Sequence, residues 1–453
     1  MKKKFHVELS TTQIIMLGFL FVVLVGSMIL WLPISSATGK AVPYLDALFT
    51  ATTATCVTGL VTLPVFSTWS VFGQIVILVL VQIGGLGVIT IMSGLMITLH
   101  KRIGIKDRIL LQDAFNLNSL SGLVSFTKKV IKGTLLVEGV GALLYMIVFV
   151  PQFGARGIWI SVFNAVSAFC NAGMDIISDN SLCDYAFHPV VNTVTSLLII
   201  WGGIGYIVWW DVVRVLKNIR SRKIRCFRGL TLHSKIALWV TFLLIMVGAI
   251  LIFLFEYQNP LTMKDCTFVQ KVGLSLFQSI TTRTAGFATL PQENLTNASS
   301  LVCLLLMFIG GSPVGTAGGV KTVTIAVLMV SMVATIRNKN EVTLFNRSLS
   351  KQAVSKAVAV VSMSFIIMFI STVLLAAVTD AGMLDIVYET VSATATVGLT
   401  RSLTGTLNLW GKLIIIATMF LGRVGPISLA VAFKVRKREQ NNIKNPMEEI
   451  SVG

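Results

Sequence analysis

"TTATCVTGL", residues 52–60, is a run of small and hydroxyl-bearing residues set between two long apolar stretches. It is far too short to cross a bilayer, since a spanning helix needs roughly 20 apolar residues. The run also has relatives elsewhere in the chain. "LFTATTATCVTGL" (48–60), "VFNAVSAFCNAGM" (162–174), "LFQSITTRTAGF" (276–287) and "VYETVSATATVGL" (387–399) share an aromatic, then small polar residues, then a glycine followed by an apolar residue. Their glycines, Gly59, Gly173, Gly286 and Gly398, lie 114, 113 and 112 residues apart, the mark of a fourfold internal duplication. The third copy is one residue shorter between Phe277 and its glycine.

The surroundings of these runs are membrane-like. The 453 residues are 55% hydrophobic and only 12% charged, with a mean hydropathy of +0.84, a composition that fits a polytopic membrane protein. Apolar runs of spanning length are expected at about 13–33, 71–98, 128–150, 189–214, 235–255, 300–334, 354–379 and 408–433. The first follows "MKKK" and no small-residue cleavage site precedes "WLP", so it reads as an uncleaved anchor. Each repeat then consists of a long helix, a short polar re-entrant segment and a second long helix. The fold expected is an all-α polytopic membrane protein, with eight transmembrane helices and four re-entrant pore helices around one pseudo-fourfold pore. The divisions are 1–99, 100–216, 217–336 and 337–434 for the four repeats and 435–453 for a tail.

Non-helical backbone at membrane depth is tolerated only where it lines water or is buried in protein, so the four polar segments should meet on one axis. Glycine permits close approach and positive φ there, and a ring of carbonyls is how a pore replaces the hydration shell of an alkali cation. The candidate ion-binding residues are Val57, Thr58 and Gly59; Asn171, Ala172 and Gly173; Thr284, Ala285 and Gly286; and Thr396, Val397 and Gly398. Each short helix would aim its negative C-terminal end at the ion.

The second long helices carry a further pattern, "QIGGLG" from Gln82, "WGGIG" from Trp201, "IGGSPVGTAGGVKT" from Ile309 and "LGRVG" from Leu421. Two departures from fourfold symmetry stand out. Arg423 replaces the second glycine of the motif (Gly85, Gly203, Gly311) in the fourth copy, and a charge inside an apolar span usually faces a bundle interior or a water cavity. In the third copy, residues 310–319 cannot continue a regular helix. Gly310, Gly311, Ser312, Pro313, Gly315, Thr316, Ala317, Gly318 and Gly319 are read as a gating loop below the ring. Arg423 is read as an electrostatic barrier at the same level, separable from the steric barrier of the loop. "GTAGGVKT" from Gly315 imitates a phosphate-binding loop, but Val320 stands where glycine is required before Lys321, and no strand leads into it. No HExxH, nucleophile elbow or intramembrane carboxylate pair occurs, so an enzyme is not expected.

The net charge of +18 follows the positive-inside rule. With both termini in the cytoplasm, most of the 37 basic residues fall on Lys2 to Lys4, on 100–132, 214–235 and 337–356, and on the tail from Lys434. Lys40, Arg156 and Arg401 lie outside, and Lys321 and Arg423 within spans. Nucleic acid is not needed to explain the charge; membrane lipid is the surrounding partner. The six cysteines form neither a zinc pattern nor a disulfide framework, and the four histidines flank spans. Glu138, the lone acid in the second repeat's first helix, is a candidate for ion or proton coupling, but its closeness to Lys132 favours a snorkelling side chain. The basic segments 100–132 and 214–235 are either ordinary positive-inside loops or a docking face.

The glycine segments "VTG", "NAG", "TAGF" and "TVGL" resemble those of the Trk/Ktr/HKT superfamily of potassium transporters, most of all a bacterial Ktr-type (KtrB-like) transmembrane subunit, and the resemblance spans essentially the whole chain. It implies a multi-pass protein of the bacterial plasma membrane that takes up K⁺ through a filter contributed by the four glycines, with Na⁺ as a second, coupled ion in some members. It also implies a homodimer with one pore per protomer. The chain has no G-x-G-x-x-G opening a helix, so it would bind no nucleotide itself. Control would come from a cytoplasmic nucleotide-binding ring of the RCK class (KtrA-like). A secondary cation carrier with broken helices and alternating access is the competing transport class; its mark would be two discontinuous helices in inverted repeats.

Overall fold

The computed structural model describes residues 10–98, 104, 109–112, 122–217, 229–339 and 341–425. Four long helices open the four repeats: Thr11–Trp31, Leu123–Phe153, Leu232–Glu256 and Lys351–Val378. At 1.5 Å per residue each is long enough to span a hydrocarbon core. Their outward faces are apolar, Phe21 and Leu136 being 67% exposed, as lipid-facing side chains should be. Each long helix is followed by a short one: Tyr44–Cys56, Ala155–Cys170, Phe268–Thr281 and Met383–Ala395.

The short helices are polar yet largely buried, and their hydroxyls explain how. Thr52 donates to the Leu48 carbonyl (2.7 Å), Ser161 to Gly157 (2.7 Å), Ser275 to Lys271 (2.8 Å) and Thr390 to Ile386 (3.0 Å). These four hydroxyls are satisfied by their own helices one turn back, which removes the cost of placing them away from water, while Thr50 and Thr55 are buried without a partner. Asp46 and Asp385 occupy first turns, where the helix dipole favours a carboxylate.

The units pack in cyclic order. Lys412 to Asp46 (2.5 Å) joins the fourth to the first, and Ser67 to Asp179 (2.9 Å) the first to the second. Leu182 N–H to the Ala288 carbonyl (3.0 Å) links second and third, and Arg401 bonds the Gln292 carbonyl (2.8 Å) and the Ser300 hydroxyl (2.9 Å) between third and fourth.

The second helices of the first two units differ from the continuous spans expected at 71–98 and 189–214, whereas the third, expected over 300–334, is interrupted where the sequence places a break. Val71–Leu86 is followed by Val88–Thr98, whose first part, Val88–Gly94, is bent from it by 99°, and Pro189–Ile204 and Tyr206–Lys217 meet at 98°. The hinge residues Gly87 (φ 86°, ψ 136°) and Gly205 (φ 94°, ψ 141°) adopt a conformation that side chains with a Cβ rarely reach. Gly425, which ends Leu409–Val424, has φ 89° and ψ 139°, and the remainder of the 408–433 span lies outside the described residues. In the third unit Asn297–Phe308 and Thr322–Ile336 are separated by an irregular loop. Broken helices therefore do occur, but at one position in tandem units rather than in two inverted halves. One short ladder, Thr343–Leu344 with Arg347–Ser348, departs from the all-α expectation; its turn is made by Phe345 and Asn346, both at positive φ.

A ring of four segments as the candidate pore

Aligned on the aromatics Phe49, Phe163, Phe277 and Tyr388, the four copies place a hydroxyl one helical turn on: Thr53, Ser167, Thr281 and Ser392. Each ties down the segment that follows its helix. Thr53 Oγ1 accepts from Gly59 N–H (2.9 Å) and Ser392 Oγ from Gly398 N–H (3.0 Å). Ser167 Oγ accepts from Met174 N–H (3.1 Å), and Thr281 Oγ1 donates to the Phe287 carbonyl (2.6 Å). The residue missing from the third copy thus falls between Thr281 and Gly286.

Two residues before each glycine the chain turns left-handed, at Val57 (φ 55°), Asn171 (58°), Thr284 (65°) and Thr396 (52°). Such a conformation costs about 1–2 kcal/mol for a residue with a Cβ, and strain of this kind clusters where a ligand is held. The glycines follow at φ 98°, 66°, 79° and 98°. A Cβ on Gly59 would lie 2.5 Å from the Ala172 carbonyl oxygen; on Gly173, 2.6 Å from Ala285; on Gly286, 2.5 Å from Val397; and on Gly398, 2.3 Å from Thr58. Each glycine abuts the residue preceding the next glycine, and the fourth returns to the first. All twelve residues picked from the sequence, from Val57 to Gly398, belong to this closed ring of backbone.

The four glycines line a cavity of about 450 Å³ on one side of the ring. Asp175, Asp179 and Glu293 line it too, three carboxylates that the sequence reading did not single out. A second cavity, of about 240 Å³, is lined by Gly84, Tyr206, Val314, Gly315, Lys321 and Arg423 among others, and touches none of the ring glycines.

Val314, Gly315 and Ala317 of the 310–319 loop line this second cavity, and the loop is held by carbonyls that the bent helices leave free. Ser312 N–H donates to Gly203 (2.8 Å), Thr316 N–H to Gly202 (3.1 Å) and Tyr206 N–H back to Val314 (2.9 Å). Thr316 Oγ1 reaches the Phe169 carbonyl at the end of the second short helix (3.0 Å). Gly318 packs so closely on the fourth segment that a Cβ there would sit 1.9 Å from Thr396 Oγ1. The neck is closed by Gly310 N–H to Val320 (2.9 Å) and Val320 N–H to Phe308 (3.1 Å).

Arg423 is half-buried at the tip of this loop. One guanidinium nitrogen donates to the Thr316 carbonyl (2.7 Å) and the other to the Gly84 carbonyl (2.5 Å). Thr316 comes from the third unit and Gly84 from the first, which face each other across the ring, so the loop reaches the axis. The charge at Arg423 and the loop are thus bonded to each other. Lys321 likewise donates to the Ala317 (2.6 Å) and Gly318 (3.3 Å) carbonyls. Glu138 does not snorkel. It is buried and accepts from Gln82 (3.3 Å), because the helix turns it toward the second repeat's short helix and away from the surface.

The family described as "TrkH: Cation transport protein" matches residues 5–445. Among curated relatives, the potassium/sodium uptake protein NtpJ of Enterococcus hirae is 38% identical over 460 residues, covering 100% of this chain and 99% of that one. The Ktr system potassium uptake protein B of Bacillus subtilis is 40% identical over 448 residues, covering 99% of this chain and 98% of that one. Among solved structures, the potassium transporter TrkH from Vibrio parahaemolyticus superposes with a TM-score of 0.74 at 15% identity, covering 96% of this chain and 87% of that chain, which is a likeness of fold.

Proposed function

We propose that this chain, which belongs to the TrkH family of cation transport proteins, takes up potassium through the four-segment ring under the control of the loop at residues 310–319. The observation that carries the reading is the cyclic contact of each ring glycine with the carbonyl of the next segment. A dehydrated K⁺ needs several carbonyl oxygens at once, and a ring of backbone with no side chains between its quadrants can supply them. The short helices, ending at Cys56, Cys170, Thr281 and Ala395, add the negative ends of their dipoles. The carboxylates of Asp175, Asp179 and Glu293 would concentrate cations at the mouth.

In our reading the loop and Arg423 form one closed gate. The loop is the steric part. The guanidinium opposes a cation at the same depth while fastening the loop to the first repeat. Opening requires the Arg423–Thr316 bond to break. The names of the relatives, potassium uptake and potassium/sodium uptake, support potassium as the cargo and make sodium the ion to test as a coupled species. In our reading the protein sits in the bacterial plasma membrane with both termini cytoplasmic and works as a homodimer. A cytoplasmic nucleotide-binding ring of the RCK class drives the loop. The tail at 435–453, placed to contact that ring, lies outside the described residues.

Uptake of Rb⁺ into liposomes holding the purified protein tests the reading. Competition by K⁺ well above that by Na⁺, weakened in Gly59→Ser, is expected, because a serine side chain would displace the Ala172 carbonyl from the ring. Equal competition by the two ions, or a Gly59→Ser profile like that of the unaltered chain, would overturn it.

A further inference from the structure

We infer that Arg283 is a positioning residue that couples the loop to the third ring segment, so that ion discrimination depends on where the loop sits. The inference rests on the reading of the ring as filter and of residues 310–319 as gate. In the first, second and fourth repeats, the carbonyl four residues before the ring glycine is pressed against a glycine of the second helix. A Cβ on Gly84 would lie 2.0 Å from the Thr55 oxygen, on Gly202 1.9 Å from Phe169, and on Gly422 2.2 Å from Thr394. Three ring segments are thereby braced, backbone to backbone, on helices.

The third is built differently. Its short helix ends at Thr281, five residues before Gly286, whereas the other three end three residues before their glycines. Gly310, the counterpart of Gly84, abuts the loop's own Gly318 carbonyl (2.1 Å from a Cβ) and not the ring segment. Arg283 fills the gap. Its side chain is buried, and Nη2 lies 3.4 Å from the Gly310 carbonyl and 3.4 Å from Thr241 Oγ1. Nε has no partner, and among the described residues no carboxylate pairs with the guanidinium.

A guanidinium with five donors and two long contacts is under-satisfied for a buried charge. It is therefore held by what surrounds it and able to follow a carbonyl that moves. Gly310 is such a carbonyl: its N–H closes the neck of the loop on Val320, so displacing the loop displaces the oxygen on which Arg283 rests. Thr284, next in the chain, is the left-handed residue that sets the Ala285 carbonyl against Gly173. Movement at Gly310 thus reaches the ring in one residue.

The test is Rb⁺ uptake into liposomes under K⁺ or Na⁺ competition, with Arg283→Gln, Arg283→Lys and Thr241→Val made both in the full chain and in a chain lacking residues 312–317. In the full chain, Arg283→Gln should reduce K⁺ over Na⁺ discrimination about fivefold or more. Arg283→Lys should restore part of it, and Thr241→Val should leave it unchanged. With the loop shortened, Arg283→Gln should add nothing. An equal loss in both backgrounds would make Arg283 a local packing group and overturn the inference, as would full discrimination in Arg283→Gln with the loop intact. Should Arg283→Gln fail to fold by gel filtration, the other two decide: a loss in Thr241→Val matching that in Arg283→Lys would place the brace on the helix and overturn the coupling. Unaltered competition in Gly59→Ser, or unchanged basal flux on shortening the loop, would instead strike the underlying reading.

Discussion

Arg423→Ala removes two hydrogen bonds from a charged donor, at 2.7 Å to Thr316 and 2.5 Å to Gly84. Each is worth about 1.5–3 kcal/mol in a protein interior. Gly84 and Arg423 line the 240 Å³ cavity, so water replaces part of the loss on that side and a net ~2 kcal/mol is left to favour the open loop. That is roughly a 30-fold shift in the closed-to-open ratio, by the rule of a factor of ten per 1.4 kcal/mol. Removing the charge acts in addition: at ~6 Å and an effective dielectric of ~20, one unit charge opposes a cation by about 3 kcal/mol. Basal Rb⁺ flux without a cytoplasmic partner should therefore rise by at least an order of magnitude. Two variants divide the effect. Arg423→Gln keeps an amide donor for Thr316 while losing the charge, and Arg423→Lys keeps the charge while losing one of the two bonds. Flux should rise in both, and most in the alanine variant. An Arg423→Ala protein that folds, melts lower and conducts no more than the unaltered chain would refute the reasoning and leave the guanidinium a packing group.

Gly205→Ala should cost about 2–4 kcal/mol, since its φ of 94° resists a side chain and a Cβ would lie 2.4 Å from the Pro313 carbonyl; thermal melting in detergent should fall, while Gly139→Ala, with open space around it, should not destabilise. Thr53→Val leaves Gly59 N–H without its acceptor, a cost of about 1–3 kcal/mol in a buried site, and should weaken K⁺ over Na⁺ competition with little change in expression. Neutralising Asp175, Asp179 and Glu293 together should slow uptake up to roughly tenfold at low ionic strength, with the deficit shrinking as salt shortens the Debye length to about 10 Å at 0.1 M.

The parts of this architecture legible in the sequence are those written as repetition. Four glycines at nearly constant spacing located the ring, and the two breaks in that repetition, the Gly-rich 310–319 and Arg423, led to the loop and the half-buried charge bonded to it. What was missed depends on dihedral sign or on contacts distant in sequence. Hydropathy sums to a span over 71–98 and 189–214 whether the chain is straight or bent by nearly a right angle. The signal was present in the final glycine of "GGLG", "GGIG" and "GRVG", but only positive φ at Gly87, Gly205 and Gly425 gives it meaning. The anchoring hydroxyls Thr53, Ser167, Thr281 and Ser392 could have been found by aligning on the aromatic rather than on the glycine. Glu138 was misread because Lys132 is its neighbour in sequence, whereas Gln82, its partner in space, comes from another repeat. The bond from Arg423 to Thr316 joins residues 107 apart, and nothing local to either announces it.

The central claim is that a dehydrated cation sits in the ring. Anomalous diffraction from crystals grown in Rb⁺ tests it most directly. The account predicts Rb⁺ density on the axis at the level of the Thr58, Ala172, Ala285 and Val397 carbonyls, displaced by K⁺ on exchange and lost in Gly59→Ser. Rb⁺ found only in the carboxylate-lined outer cavity, with none in the ring, would contradict it.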